Sequence, residues 1–190
     1  MAGLIGLIGY KGSGKTEVTL HASAMRMMGI RDKIVRMGFA DPIVDMLIAF
    51  GVPEDFIADK KNWDTRLNML GGKTIRYAAQ TLGTEWGRNI MSPDLWATRA
   101  MLRVDMAKPD ELVILDNVRF HSELDSILAA GGALISFVRP QLRVNLEHAS
   151  EQGIEALQAQ AHYTFVNDFP NVEHAAVEFL TFLASHGLLR

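Results

Sequence analysis

Hydrophobic residues along this chain fall into five short runs, each separated from the next by a longer stretch of mixed polar and apolar residues. Apolar runs of this length are typical of buried strands, and the stretches between them are long enough for helices. Such alternation predicts a largely parallel sheet flanked by helices, which is the α/β class. The predicted strands cover residues 4–8, 33–38, 112–115, 133–138 and 163–166.

Glycine and proline residues mark the predicted helix boundaries. Gly29 and the glycine pair at 131–132 predict helix stops, and Pro93 with Asp94 predicts a helix start before L-W-A-T-R-A-M-L. Residues 171–189 predict a closing amphipathic helix. The stretch 41–108 is longer than an ordinary crossover between two strands, so we expect a helical subregion there.

Composition bounds the size of the protein and the class of its partners. The 190 residues are 48% hydrophobic, enough for one substantial core, so we expect one domain with insertions. The net charge is -3 and cysteine is absent, which argues against a nucleic-acid partner and against disulfides or thiolate metal sites. No uncharged apolar stretch reaches the roughly 18 residues that a membrane helix requires. We therefore expect a cytoplasmic protein with no membrane partner.

The chemistry enters with residues 9–16, G-Y-K-G-S-G-K-T, which satisfy G-x-x-x-x-G-K-[ST] between the first predicted strand and a helix beginning near Lys15. We call this segment the P-loop. Its glycines let successive backbone N–H groups turn around a phosphate, while Lys15 reaches the outer phosphates and the Thr16 hydroxyl can ligate Mg²⁺. Lys11 occupies a variable position and can instead be a solvated lysine. The predicted phosphate-binding residues are Gly9, Lys11, Gly12, Ser13, Gly14, Lys15 and Thr16.

The third predicted strand ends in E-L-V-I-L-D-N-V-R-F, which places Asp116 near its carboxyl end, the edge where open α/β sheets bind ligands. An acid there can hold a metal through water. The alternative is that Asp116 caps the helix that starts near His121. Arg119 follows at the same edge, where it is either an anion contact or a surface arginine.

Arg139 and Arg143 leave the fourth predicted strand on a loop at this same edge. Arginines on such a loop can close over a transferring phosphoryl group, although charges on loops are also often only solvated. His148 and Glu151 are nearby, but a lone histidine at a helix start is more often a cap or packing residue, so no role is assigned to either.

Several further motifs accompany the P-loop along the chain: G-F-A-D-P after the second strand, T-L-G-T-E-W-G-R at 81–88, P-D-L-W at 93–96, D-N-V-R-F at 116–120, R-P after the fourth strand and H-A-S-E at 148–151. In this combination the chain resembles the phage-type deoxynucleoside monophosphate kinases over nearly its whole length. The resemblance implies a three-layer P-loop kinase fold with sheet order 2-3-1-4-5, a helical monophosphate-binding insertion and a lid. It also implies ATP with Mg²⁺, transfer of a phosphoryl group to a deoxynucleoside 5'-monophosphate for DNA synthesis, and a bacteriophage source inside an infected host cell.

The resemblance also implies boundaries and roles. The single domain 1–190 has its core at 1–40, 109–138 and 160–190, its monophosphate-binding region at 41–108 and its lid at 139–153. The implied catalytic residues are Lys15, Asp116, Arg119, Arg139 and Arg143. The implied substrate-binding residues are Asp41, Arg76, Gln80, Trp86, Arg88, Asp94 and Trp96, although the two tryptophans can equally be core residues. The segment V-N-D-F-P-N-V at 166–172 departs from the family pattern because it lacks the glycine expected beside adenine.

Two other functions stay open from the sequence. The first is a kinase of another small acceptor such as dephospho-coenzyme A, and T-L-G-T-E-W-G-R argues against it. The second is a non-catalytic nucleotide-binding or DNA-packaging accessory protein, since a P-loop alone does not define an enzyme. The expected partners are small-molecule substrates, and a homodimer is left open.

Overall fold

The computed structural model describes residues 3–25, 32–142 and 153–189. The strands are β1 (Gly3–Ile8), β2 (Lys33–Met37), β3 (Arg66–Leu67), β4 (Lys73–Thr74), β5 (Glu111–Val118), β6 (Ala133–Val138) and β7 (Tyr163–Val166). The α-helices are α1 (Lys15–Ala24), α2 (Asp41–Phe50), α3 (Glu54–Ala58), α4 (Ile75–Gln80), α5 (Leu95–Val104), α6 (His121–Ala129), α7 (Ile154–Gln158) and α8 (Val172–Ser185). Short 3₁₀ helices lie at Lys60–Asp64 and Asn68–Leu70, and Thr81–Met91 is a π-helix.

Five parallel strands form the central sheet in the order β2-β5-β1-β6-β7. Counted among themselves, these strands have the order 2-3-1-4-5, so the expected topology is confirmed. Because β1 lies in the middle, its carboxyl end opens at the centre of one sheet edge, and the P-loop follows it there. The third sheet strand is longer than predicted and runs on to Val118, so Asp116 lies inside the strand.

Helices cover both faces of this sheet, which makes the three layers that the sequence predicts. On one face, alternate strand residues such as Leu7 and Ile114 pack against α1 and α8 in a single buried cluster that includes Val18 and Phe179. On the other face, α6 lies so close that a Cβ added to Gly6 would stand 2.5 Å from Ile127 Cδ1. The central strands β1, β5 and β6 are therefore buried on both sides and largely apolar, whereas the edge strands β2 and β7 are partly exposed.

The chain divides into two compact units, Met1–Gly38 with Arg99–Arg190, and Phe39–Thr98. The first contains the five-stranded sheet. The second contains residues 41–98, and its core is formed by Leu47, Val52, Ile57 and Ile75. Residues 99–108, the last part of the stretch 41–108, belong to the first unit.

Several predicted helix boundaries are confirmed. α5 begins directly after Pro93 and Asp94, and the Asp94 carbonyl accepts a hydrogen bond from Thr98 N at 2.8 Å. α6 ends before Gly131, whose φ of 73° is favourable only for glycine, and α8 is capped by Asn171. α1 ends at Ala24, and the predicted stop at Gly29 lies outside the described residues. Among the described residues, no helix is long and apolar enough to span a membrane.

Candidate active site

The P-loop has a backbone that only glycine adopts readily at two positions. Gly12 and Gly14 have φ angles of 85° and 92°, in the left-handed region. At Gly9 the restriction is space, because an added Cβ would lie 2.4 Å from the carbonyl oxygen of Phe137 on the neighbouring strand β6. The glycines of the motif are thus explained by turn geometry and by close approach. Such turns direct successive N–H groups to one side, where an anion binds.

Lys15 is folded back onto this loop. Its Nζ donates hydrogen bonds to Gly9 O at 2.5 Å, Tyr10 O at 2.9 Å and Ser13 Oγ at 3.1 Å, and the residue is only 6% exposed. These acceptors are neutral, whereas phosphate oxygens are charged and form stronger hydrogen bonds with an ammonium group. Thr16 follows in the first turn of α1 and is exposed. The P-loop therefore presents a cation, backbone N–H groups and a hydroxyl together.

Asp116 is fully buried and forms a bidentate ion pair with Arg36, the fourth residue of β2. Arg36 Nε lies 2.8 Å from Oδ2 and Nη2 lies 3.2 Å from Oδ1, with the arginine side chain 27% exposed. β2 and β5 are neighbours in the sheet, and their register brings the two residues together across the strands. The pair neutralises a carboxylate that burial would otherwise strongly disfavour.

The structure overturns the helix-cap alternative for Asp116. The N-terminus of α6 is capped by Glu123, whose Oε2 accepts hydrogen bonds from Arg119 N at 2.8 Å and Phe120 N at 3.3 Å. This is the acidic half of a capping box, three residues into the helix. Arg119 is half-buried, and its Nε donates to Asn117 Oδ1 at 2.7 Å. Its predicted anion contact stays a prediction.

The predicted lid is only partly within the described residues. Arg139 is exposed just after β6, at the carboxyl edge of the sheet, and Lys11 is exposed on the P-loop. Arg143, with His148 and Glu151, lies outside the described residues. The structure thus places one of the two lid arginines at the predicted sheet edge.

In the second unit, Arg76 on α4 is held by Asp64. Arg76 Nε donates to Oδ1 at 2.6 Å and Nη2 donates to Oδ2 at 3.0 Å. The hydrogen bond to Asp64 raises the pKa of the guanidinium above its usual value; burial opposes this rise, and the charge of Asp64 adds a smaller contribution in the same direction as the hydrogen bond. Arg76 is therefore charged and oriented, and its Nη1 is on the edge of the guanidinium that Asp64 does not occupy.

The motif T-L-G-T-E-W-G-R forms most of the π-helix, a rare element that is often found at functional sites. Gly83 and Gly87 are buried, and the Trp96 ring lies against Gly87. A Cβ at Gly87 would be 2.5 Å from this ring, and Trp96 Nε1 donates to Gly83 O at 2.8 Å. Arg88 Nη1 donates to the same carbonyl at 3.2 Å. Gly83 and Gly87 of this motif thus contact Trp96, and Arg88 shares the carbonyl that Trp96 bonds.

The remaining predicted substrate residues lie in the same unit. Trp96 is 4% exposed, whereas Trp86 is half-buried with its ring centroid 6.2 Å from that of Trp96. This placement makes Trp86 the more accessible aromatic surface. Asp41 begins α2 and is half-buried, while Gln80 ends α4 and Asp94 precedes α5, both exposed.

Among the described residues, three whose side chains bond predicted site residues distant in the sequence were missed from the sequence. Arg36 pairs with Asp116 and Asp64 pairs with Arg76, and neither partner can be read from the local pattern. The third is Asn167, whose Nδ2 donates to Ser13 O in the P-loop at 2.8 Å. Its place directly after a predicted strand, at the carboxyl edge of the sheet, is a signal that could have identified it.

The oxygen donors near the P-loop suit Mg²⁺ in chemical type. Magnesium prefers oxygen ligands and usually combines one or two carboxylates with substrate phosphates and waters. Thr16 supplies an exposed hydroxyl, and Asp116 supplies a carboxylate in the same unit. Because Asp116 is fully enclosed, a water-mediated link from it requires some rearrangement of its neighbours.

A P-loop at the carboxyl end of the central strand, in a five-stranded parallel sheet of this order, defines the P-loop kinase class of fold. The family follows from the sequence match: residues 52–170, more than half of the chain, match the deoxynucleotide monophosphate kinase family. The chain belongs to this family and is a phosphotransferase of the kinase type. The matched range includes the π-helix and Asp116 and does not include the P-loop, which is an independent observation.

Known relatives agree with this assignment. A candidate deoxynucleotide monophosphate kinase of Acanthamoeba polyphaga mimivirus is 29% identical over 172 residues, covering 82% of this chain and 84% of the relative. Shikimate kinase from Acinetobacter baumannii, solved with shikimate, superposes with a TM-score of 0.54 at 16% identity, covering 98% of this chain and 95% of that one. Shikimate kinase from Aquifex aeolicus gives a TM-score of 0.54 at 13% identity, covering 97% and 98%. At these identities the two structures show the fold alone.

Proposed function

We propose that this protein transfers the terminal phosphoryl group of ATP to a deoxynucleoside 5'-monophosphate, giving the diphosphate and ADP. The observation that carries the proposal is the family match over residues 52–170, and the P-loop with its lysine supports it from outside the matched range. An oxygen of the acceptor phosphate attacks the terminal phosphorus, and the bond to the bridging oxygen of ADP breaks. No covalent enzyme intermediate is required, so positioned charge supplies the catalysis.

The donor half of the reaction is assigned to the P-loop. Backbone N–H groups around Gly12 and Gly14 bind the phosphates, and Lys15 exchanges its carbonyl contacts for phosphate oxygens. When bound, Mg²⁺ neutralises charge on the triphosphate, and Thr16 is proposed as its direct protein ligand with Asp116 acting through water. Arg119, Arg139 and Arg143 are proposed to meet the transferring group, since guanidinium groups suit charge that is spread over several oxygens.

The acceptor half is assigned to the second unit. Arg76 is the proposed clamp for the monophosphate, because Asp64 fixes its planar group while leaving Nη1 to donate. Trp86 is the proposed surface for the base, with Gln80 or Asp94 at the base edge, and Asp41 and Arg88 complete the set. Trp96 acts in this proposal by supporting Trp86, since its own N–H is already bonded. The proposed location is the cytoplasm of an infected host cell.

A coupled assay of ADP release tests the proposal. Purified protein with Mg-ATP is offered each of the four common deoxynucleoside monophosphates and modified pyrimidine ones, with shikimate and dephospho-coenzyme A as competing acceptors. Turnover is expected with at least one deoxynucleotide and not with the other two compounds. A protein that binds ATP but turns over no deoxynucleotide would be an accessory protein, and turnover of dephospho-coenzyme A would replace the proposed acceptor.

Lys15→Ala provides the matched inactive enzyme. Because Lys15 is proposed to stabilise charge that develops on the transferring group, kcat should fall by at least ~100-fold. Circular dichroism would establish that the variant is folded. Near-normal turnover by a folded Lys15→Ala protein would remove Lys15 from the catalytic set.

A further inference from the structure

Asn167 joins the last strand of the sheet to the P-loop. It follows β7 directly, and its backbone N donates to Val138 O at 2.7 Å, continuing the ladder between β6 and β7. Its side-chain Nδ2 donates to Ser13 O at 2.8 Å, a contact between residues 154 positions apart. The residue is 7% exposed. A buried amide at this place is held by its hydrogen bonds, because burying it unpaired would be unfavourable.

This hydrogen bond fixes the orientation of one peptide unit of the P-loop. The peptide between Ser13 and Gly14 is planar and trans, so its C=O and the following N–H point in opposite directions. Turning Ser13 O toward Asn167 therefore turns Gly14 N–H away from Asn167. Gly14 has a φ of 92° and no Cβ, so its own backbone can adopt several conformations. A hydrogen bond from outside the loop is therefore needed to hold this peptide in one orientation.

The fit between Asn167 and Gly14 is close. A Cβ added to Gly14 would lie 2.5 Å from Asn167 Nδ2, so the amide occupies the space that any other residue at position 14 would need. Ser13 is also shared with the catalytic lysine, since Lys15 Nζ donates to Ser13 Oγ at 3.1 Å. Asn167 and Lys15 thus hold the same residue of the P-loop from its carbonyl and its hydroxyl.

We propose that Asn167 is a positioning residue for the P-loop: it holds the Ser13–Gly14 peptide so that Gly14 N–H is presented to the phosphates of ATP. This rests on the proposed function of the P-loop as the ATP site. The role assigned to Asn167 is to act through the loop, with no contact to the acceptor. Loss of its side chain should therefore weaken ATP binding and leave the KM for the acceptor unchanged.

Titration calorimetry with Mg-ATP in the absence of acceptor tests the inference. Asn167→Ala leaves the buried Ser13 carbonyl without this donor and should raise the Kd for ATP at least about fivefold. Asn167→Asp keeps the shape of the side chain but replaces the donor by a carboxylate, so it should weaken ATP binding at least as much. This second variant retains the volume of the core and serves if the alanine variant is unstable.

Asn171→Ala is the matched control, because it removes an identical side chain four residues later in the same unit. Asn171 Oδ1 caps α8 by accepting from His174 N at 2.8 Å. Its loss should lower the melting temperature while the Kd for ATP stays within about twofold of wild type. Equal losses of ATP affinity in Asn167→Ala and Asn171→Ala, or no loss in either Asn167 variant, would overturn the role of Asn167 and leave the proposed function standing. Failure of the wild-type chain to bind Mg-ATP would overturn the proposed function with it.

Discussion

Replacing Arg36 by methionine should destabilise the unit that contains the sheet by about 3 kcal/mol. The substitution keeps a long apolar stem but leaves the fully buried Asp116 without the guanidinium that bonds both of its oxygens. Removing one partner of a buried ion pair typically costs about 3–5 kcal/mol. Because the Arg36 side chain is 27% exposed, water can reach this side of the pair, and we expect the lower end of that range. For a chain of this size the melting temperature should fall by about 6–12 °C.

The same two strands provide the control. Lys33 and Glu111 also link β2 to β5, but their closest N–O distance is 3.7 Å and the lysine side chain is 72% exposed. A long ion pair whose cation is this exposed is worth little, although Glu111 is only 13% exposed, so Lys33→Met should change stability by less than about 0.5 kcal/mol. The contrast separates the effect of burial from the effect of removing any cation from β2.

The assay is urea unfolding followed by far-ultraviolet circular dichroism. The three tryptophans, Trp63, Trp86 and Trp96, all lie in the second unit, so their fluorescence reports on the wrong part of the chain. A double-mutant cycle with Asp116→Asn completes the test, because the double variant has no unpaired carboxylate. Its destabilisation should be smaller than the sum of the single effects by at least about 1.5 kcal/mol. Equal effects of Arg36→Met and Lys33→Met, or an additive cycle, would refute the reasoning.

Two further predictions concern the metal and the π-helix. Asp116→Asn should leave a folded enzyme with poor turnover even at saturating Mg²⁺. The measurement is the rate of turnover across a Mg²⁺ titration. Full activity with an unchanged Mg²⁺ dependence would remove Asp116 from the proposed metal site. Gly87→Ala should destabilise the second unit by about 1–3 kcal/mol, because its Cβ would lie 2.5 Å from the Trp96 ring. Gly83→Ala should destabilise this unit much less, since the atom nearest to its added Cβ is the flexible end of Ile43 at 3.1 Å. Urea unfolding followed by tryptophan fluorescence measures both variants, and equal destabilisation by the two substitutions would contradict this reasoning.

The sequence by itself determined the sheet and the P-loop. All five sheet strands were predicted within a few residues, and the three central ones were readable because a strand buried on both faces is largely apolar whatever its neighbours are. The P-loop was equally legible, because left-handed turns at Gly12 and Gly14 are requirements of the local backbone. The start of α5 after Pro93 was also predicted from the local sequence, because proline favours the first positions of a helix. The capping of α6 by Glu123 was not predicted, although Glu123 stands at the capping-box position of a helix that was predicted.

The tertiary structure alone decided which polar groups meet. Arg36 and Asp116 are 80 positions apart and come together because β5 is inserted beside β2. Asn167 reaches Ser13 because β6 and β7 carry the chain back to the P-loop edge, and Trp96 meets Gly83 because the π-helix turns its glycines toward α5. These pairings depend on strand order, register and helix rotation, which arise from packing the whole chain. The local sequence shows whether a side chain is charged or small. The partner of that side chain is determined only when folding brings distant segments of the chain into contact.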